Sequence, residues 1–145
     1  MSRHEDDATI ADGDGLVRYI HPSQIVRDDN TGDWRPSSAA FTMSTEDGCL
    51  SVDLEALLFA AELAPCHNLP MRPSGSGAVR LTAGLVRSNG LGVFHDPRQA
   101  TPSEPENPYH GQVFNGENHG TITRGTKKAL YQSSEWLHLP ILDDE

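Results

Sequence analysis

Apolar and polar positions alternate over Leu16-Val17-Arg18-Tyr19-Ile20, which predicts a first strand. Val17, Tyr19 and His21 fall on one face, and Leu16, Arg18 and Ile20 on the other. Pro22 ends the strand, and the polar run Asp28-Asp29-Asn30-Thr31-Gly32-Asp33 is a turn by composition. Trp34 to Phe41 returns as an extended or irregular segment, a loop covers Ser44 to Gly48, and Cys49 to Val52 form a short strand. The period then changes. Leu54, Leu57, Leu58 and Ala61 make a core-facing stripe that predicts a helix over 53–64. Ser51 or Asp53 is the expected cap, Glu55 suits the positive end of the dipole, and Pro65 stops the helix.

Residues 65 to 77 read as a loop. Residues 78 to 90 fit strand or helix; the reading adopted is a strand at Val79-Arg80-Leu81, then a short helix capped by Thr82 and ending at Asn89-Gly90, where glycine suits the left-handed position. Leu91 to His95 and His110 to Phe114 are strands flanking an exposed loop with three prolines, Thr101 to Pro108. Asn115 to Gly125 is polar and glycine-rich. The last helix is predicted over 126–138, with Ala129, Leu130, Ser133, Trp136 and Leu137 on one face and Trp136 anchoring it to the sheet. The expected fold class is α+β: a single small domain, with a short mixed sheet, two or three packed helices and long loops. Residues 1–14 are expected to be a disordered acidic tail, 15–140 the domain, and 141–145 an acidic C-terminal end.

The bulk properties narrow the function classes. The 145 residues fit one domain, and the net charge of -10 argues against general nucleic-acid binding and against an anionic membrane surface. No apolar run approaches the roughly 18 residues that would span a bilayer, and no secretory signal is visible, so a cytoplasmic setting is expected. Two cysteines, Cys49 and Cys66, are too few for a disulfide scaffold and are read as reduced thiols, with Cys49 packed inside. Arg72, Arg80, Arg87 and Arg98 stand against a single acid, Asp96, within that stretch, and Arg124, Lys127 and Lys128 form a second basic cluster. Either set can meet a phosphate or carboxylate on a ligand, or pair with the protein's own acids.

Four polar segments carry the candidate chemistry: Ile20-His21-Pro22-Ser23-Gln24, Arg35-Pro36-Ser37-Ser38-Ala39-Ala40-Phe41, Phe94-His95-Asp96-Pro97 and Asn107-Pro108-Tyr109-His110. Each sets reactive side chains beside a proline, where a strand gives way to a turn. The catalytic candidates are His21, Ser38, His95 and His110; the ligand-binding candidates are Arg35, Ser37 and Tyr109. A histidine base with a serine and with Asp96 behind it would follow triad logic, but no Gly-x-Ser-x-Gly elbow is present. His21, His95 and His110 are weak metal candidates without close ligand spacing, so no metal or cofactor is favoured. His4, His119 and His138 read as surface residues. Serines after proline also cap turns, which is the structural alternative. The order Arg18, Ser37-Ser38 and Glu104-x-Glu106 lacks the core motifs of ADP-ribosyltransferases.

These segments, with Leu50-Ser51-Val52-Asp53-Leu54, resemble a group of small uncharacterised bacterial proteins with no established activity; the likeness spans about Leu16 to Trp136 and departs at Asn115 to Thr123. The resemblance implies a bacterial, cytoplasmic setting and treats His21, Arg35, Ser37, Ser38, His95 and His110 as one set. The functional expectation is a non-enzymatic acidic binding or accessory module acting through a protein partner, in a bacterial multi-gene system such as phage defence or toxin–immunity. The alternative is a hydrolase or group transferase with a histidine, serine and arginine cleft.

Overall fold

In the computed structural model, residues 4–44, 48–116 and 122–140 are described. Among the described residues, eight strands and three α-helices make an α+β domain, with strands β1 (Gly15–Ile20), β2 (Ile25–Arg27), β3 (Trp34–Pro36), β4 (Cys49–Leu54), β5 (Gly77–Thr82), β6 (Leu91–His95), β7 (His110–Asn115) and β8 (Glu135–His138). The helices are α1 (Glu55–Ala60), α2 (Ala83–Ser88) and α3 (Arg124–Ser133). Six strands form one sheet in the order β6-β7-β4-β1-β5-β8, and β2 and β3 form a separate pair. Every pairing between these strands is antiparallel. No helix among the described residues is long and apolar enough to cross a membrane.

The two-residue period sorts the sheet into two unlike faces. Leu16, Ile20, Leu50, Val52, Leu54, Val79, Leu81, Val93 and Val113 are buried in one core, with Ala40, Phe41, Val86 and Leu130 from the turns and helices over them. The register pairs Ser51 with Gln112 and Asp53 with both His110 and Val17, so the alternate positions form a polar second face. The tyrosine at position 19 belongs to it, because its hydroxyl reaches Asp53 at 3.0 Å.

Several local expectations hold. Thr82 caps α2 by accepting from the Leu85 amide at 3.1 Å, and Gly90 follows the helix with φ of 80°. Cys49 is buried, as its place before an apolar stretch implied. Others are corrected. Neither Ser51 nor Asp53 caps α1: both remain in β4, Leu54 occupies the cap without a side-chain bond, and the helix is Glu55–Ala60 instead of 53–64. The cause is tertiary, since Asp53 is held by Tyr19, Asn68 and Asn107, all distant in the chain. The last helix stops at Ser133, and Trp136 lies on β8, not on the helix. Pairing with β5 extracts this segment from the helical pattern, and Gly77 makes the approach feasible, because a Cβ there would sit 2.8 Å from the Trp136 ring and 3.0 Å from the His138 carbonyl. The indole Nε1 donates to the Trp34 carbonyl at 3.1 Å, tying β8 to the small hairpin.

The N-terminal segment also differs from the expected disordered acidic tail over residues 4–14. The Asp7 amide donates to the Val93 carbonyl at 2.9 Å on the β6 edge, the Gly84 amide donates to the Asp12 carbonyl at 2.8 Å, and Ile10 is buried. Arg87 on α2 gathers the acids, contacting Asp6 at 3.0 Å and Asp12 at 2.7 Å. Two of the acids that read as a charged tail, Asp6 and Asp12, are counter-ions for one arginine. The expectations for residues 1–3, for 141–145 and for His119 lie outside the described residues.

Candidate functional site: a polar cleft on the second face of the sheet

The strand pair β1–β4 is joined only at Leu16↔Leu54 and Val17↔Asp53. Beyond these pairs the two strands part, and their freed groups open a cleft. It has a volume of about 520 Å³ and is floored by Tyr19, Ser51, Asp53 and His110. The loop carrying Asn68, Met71 and Arg72 makes one wall, and the loop from Arg98 to Asn107 makes the other. That second loop is closed like a hairpin by reciprocal backbone bonds of 2.9 Å between Arg98 and Asn107.

Asp53 organises the floor. Its side chain is 2 % exposed and accepts from the Asn107 amide at 2.8 Å, the Asn68 amide at 2.8 Å and the Tyr19 hydroxyl at 3.0 Å. Both walls and β1 are therefore pinned to one carboxylate by neutral donors. Burial and the neighbouring Asp53 charge drive the Tyr19 hydroxyl's pKa far above the ordinary tyrosine value, so it stays a donor.

His110 stands opposite Asp53 across β4 and β7 and is buried. Its Nδ1 lies 2.8 Å from the Asp96 carbonyl; a carbonyl only accepts, so Nδ1 carries a proton and Nε2 holds the lone pair in the neutral ring. The Arg98 Nε also lies 3.2 Å from this nitrogen, but the shorter carbonyl contact sets the tautomer. Burial, reinforced by the Arg98 cation, lowers the pKa of His110 below the ordinary histidine value, against the opposing pull of the Asp96 carbonyl and carboxylate. His21 also lines the cleft, but its Nδ1 accepts from the Ser23 amide at 3.0 Å while the Gln24 side chain accepts from the His21 amide at 3.1 Å. It is the reciprocal cap of the turn Pro22–Gln24.

The remaining candidates lie elsewhere. The His95 Nε2 donates to the Pro108 carbonyl at 2.7 Å, fastening β6 to the loop before β7. Arg35 pairs with Asp28 at 3.1 Å and stacks over Tyr131, 4.3 Å from its ring centre. Ser37 sits at the start of the turn Ser38–Phe41 without a side-chain capping bond, and Ser38 is exposed. Tyr109 meets His67 edge-on at 6.3 Å. Of the set, only His21 and His110 line the cleft. Among the described residues, no three His, Cys, Asp or Glu side chains are grouped to hold a metal ion. His4, read as a surface residue, is exposed but stacks on Phe94 at 4.7 Å, and His138 is exposed.

Asn68 was not singled out from the sequence; Arg72 entered only within a basic stretch, Asn107 only within its proline-braced segment, Arg18 only on a strand face and in the comparison with ADP-ribosyltransferases, and Asp53 only within the Leu50–Leu54 segment and as an expected helix cap. One signal was available for the floor: the alternation in Leu50-Ser51-Val52-Asp53-Leu54 and in His110-Gly111-Gln112-Val113 puts Ser51, Asp53, His110 and Gln112 on one face once the two strands are paired. Among the arginines flagged by sequence, Arg80 goes to Glu55 at 3.0 Å and Arg87 to the N-terminal acids, whereas Arg72 lies over the Tyr19 ring at 5.5 Å. Lys127 donates to the Thr42 hydroxyl at 3.0 Å. The chain matches no protein-family model, no curated protein and no solved structure. Fold and cleft alone define the class: an α+β domain with a preorganised polar cleft at a parting of sheet strands.

Proposed function

We propose that the protein is a non-enzymatic binding module and that the cleft receives an extended segment of a partner protein. The observation that supports this best is the Asp53 hub. It holds the floor and both walls in place through three hydrogen bonds, and a preformed site loses little entropy on binding. The histidines nearest the cleft serve as fasteners, which suits recognition better than proton transfer. A bacterial multi-gene setting, such as phage defence or toxin–immunity, rests on the sequence resemblance alone.

The test is capture from native extract with the full chain and two rim variants, Met71→Trp and Ser103→Trp. Both positions are exposed and line the cleft, so bulk there obstructs entry without touching the core. A stoichiometric partner retained by the wild type and lost by both variants is expected. A partner held equally by all three, or none recovered in stoichiometric amount, overturns the reading. One observation favours hydrolase or transferase chemistry instead: His110 keeps an unprotonated Nε2 in the neutral ring and lines the cleft. Turnover lost in His110→Gln with the fold intact would establish that alternative.

A further inference from the structure

Arg18 occupies the fork where β1 and β4 part. Its Nε donates to the Ala40 carbonyl at 3.0 Å and its Nη1 to the Ser51 carbonyl at 2.8 Å. Those two bonds fix the guanidinium, and among the described residues no carboxylate pairs with it. The side chain is half-buried and lines the cleft. Arg72, also lining the cleft, is stacked over the ring of Tyr19, the residue after Arg18. Its contacts likewise include no carboxylate among the described residues. Two arginines left without acids are informative in a chain of net charge -10, where Arg35 and Arg80 each pair with one acid and Arg87 with two. The nearby acid is already occupied, because Asp53 accepts from Tyr19, Asn68 and Asn107.

We propose that Arg18 and Arg72 form an oxyanion subsite of the cleft, which takes one carboxylate or phosphate group of the bound segment. The subsite rests on the binding reading above and adds the chemistry of the ligand. A guanidinium already immobilised by two carbonyls spends little entropy in pairing with an anion, and a planar fork suits both groups. Desolvation, and secondarily Arg72, push the pKa of Arg18 down to about 10, a destabilisation of the cation that an entering anion relieves. Glu104 and Glu106 on the opposite wall are exposed and repel further negative charge. The preferred segment thus carries a single acidic group flanked by neutral or basic residues.

The experiment is a proton–nitrogen NMR titration of the full chain with inorganic phosphate and, separately, with acetate, at constant ionic strength set by chloride. Saturable shifts at the Arg18 side-chain Nε–H and at the Tyr19 and Arg72 amides are expected. Arg72→Gln, an exposed change that leaves the fold intact, should weaken binding about threefold. Arg18→Gln should weaken it on the order of tenfold, with Arg18→Lys recovering part. Tighter phosphate than acetate assigns a phosphorylated group, and comparable affinities assign a carboxylate; both support the subsite. Shifts reproduced by chloride, shifts centred on Arg124, Lys127 and Lys128, or no effect of Arg72→Gln overturn it. If the titration fails while the rim variants still abolish partner capture, the subsite is wrong and the cleft reading stands. If anions bind as expected while capture is indifferent to the rim, the subsite stands and the cleft reading is wrong.

Discussion

Asp53 ties β1 and both cleft walls to one carboxylate. A carboxylate that is 2 % exposed must be satisfied, and it is, by Tyr19, Asn68 and Asn107. Asp53→Asn preserves the shape but replaces one accepting oxygen with an amide NH2, which then faces either Asn107 or the Asn68 and Tyr19 pair donor to donor, and should cost about 2–3 kcal/mol in urea unfolding. It should also raise hydrogen exchange in both cleft walls. His110 has a pH signature of its own. Its folded pKa lies below the ordinary 6.5, so near that pH the unfolded chain binds a proton that the native chain refuses. The contribution of His110 to stability is therefore complete above about pH 6.5 and is lost as the pH falls through 6.5 towards the lower folded value. Unfolding midpoints of wild type and His110→Gln measured across pH 5 to 8 should diverge in that interval, with the wild type falling more steeply on the acid side.

Among the elements, the short helices depend on their ends. The helix α2, Ala83–Ser88, is too short to persist on propensity alone, and is framed by the Thr82 cap and by Gly90 at φ of 80°. Thr82→Ala should cost about 1 kcal/mol in thermal or urea unfolding. Gly90→Ala should cost about as much, although no neighbouring atom lies within 4 Å of the added Cβ, because the penalty is conformational. The pair discriminates cap chemistry from packing: a larger loss for Gly90→Ala than for a core truncation such as Val86→Ala would contradict this account. The same reasoning explains α1. Leu54 offers no cap, and the helix is held by its buried Leu58 and by the Glu55–Arg80 ion pair across to β5.

At the scale of the whole molecule, the sheet order is dominated by distant pairings. The central neighbours β4, β1 and β5 are not consecutive in the chain, and the N-terminal segment closes the β6 edge from 87 residues away through the bond from the Val93 amide to Asp6. Arg87 keeps that closure by contacting Asp6 and Asp12. Arg87→Ala should release residues 4–14 and raise exchange at the Val93, Ala83 and Gly84 amides by about tenfold or more, which corresponds to about 1.4 kcal/mol of lost protection. The effect should shrink when the wild type is measured at high salt, because these acids are partly exposed.

The α+β class, strands β1, β4, β6 and β7, the strand-then-helix reading of residues 78–90 and the burial of Cys49 were all legible in the sequence, because each follows from a local period or a local cap. The position of Trp136 was not: a helical stripe over 126–138 and a strand at Glu135–His138 use the same residues, and only pairing with β5 decides between them. Asp6 and Asp12 looked like part of a tail because their partner, Arg87, lies far along the chain, 75 positions beyond Asp12. The cleft has the same character. Proline-braced histidines stood out by their chemistry, but most proved to be local fasteners, and the residues that build the floor and walls came from strands and loops far apart in the chain. Hydrophobic period is written into neighbouring residues and survives reading in one dimension. Charge pairing and cavity shape depend on which distant strands meet, and that is decided only when the sheet closes.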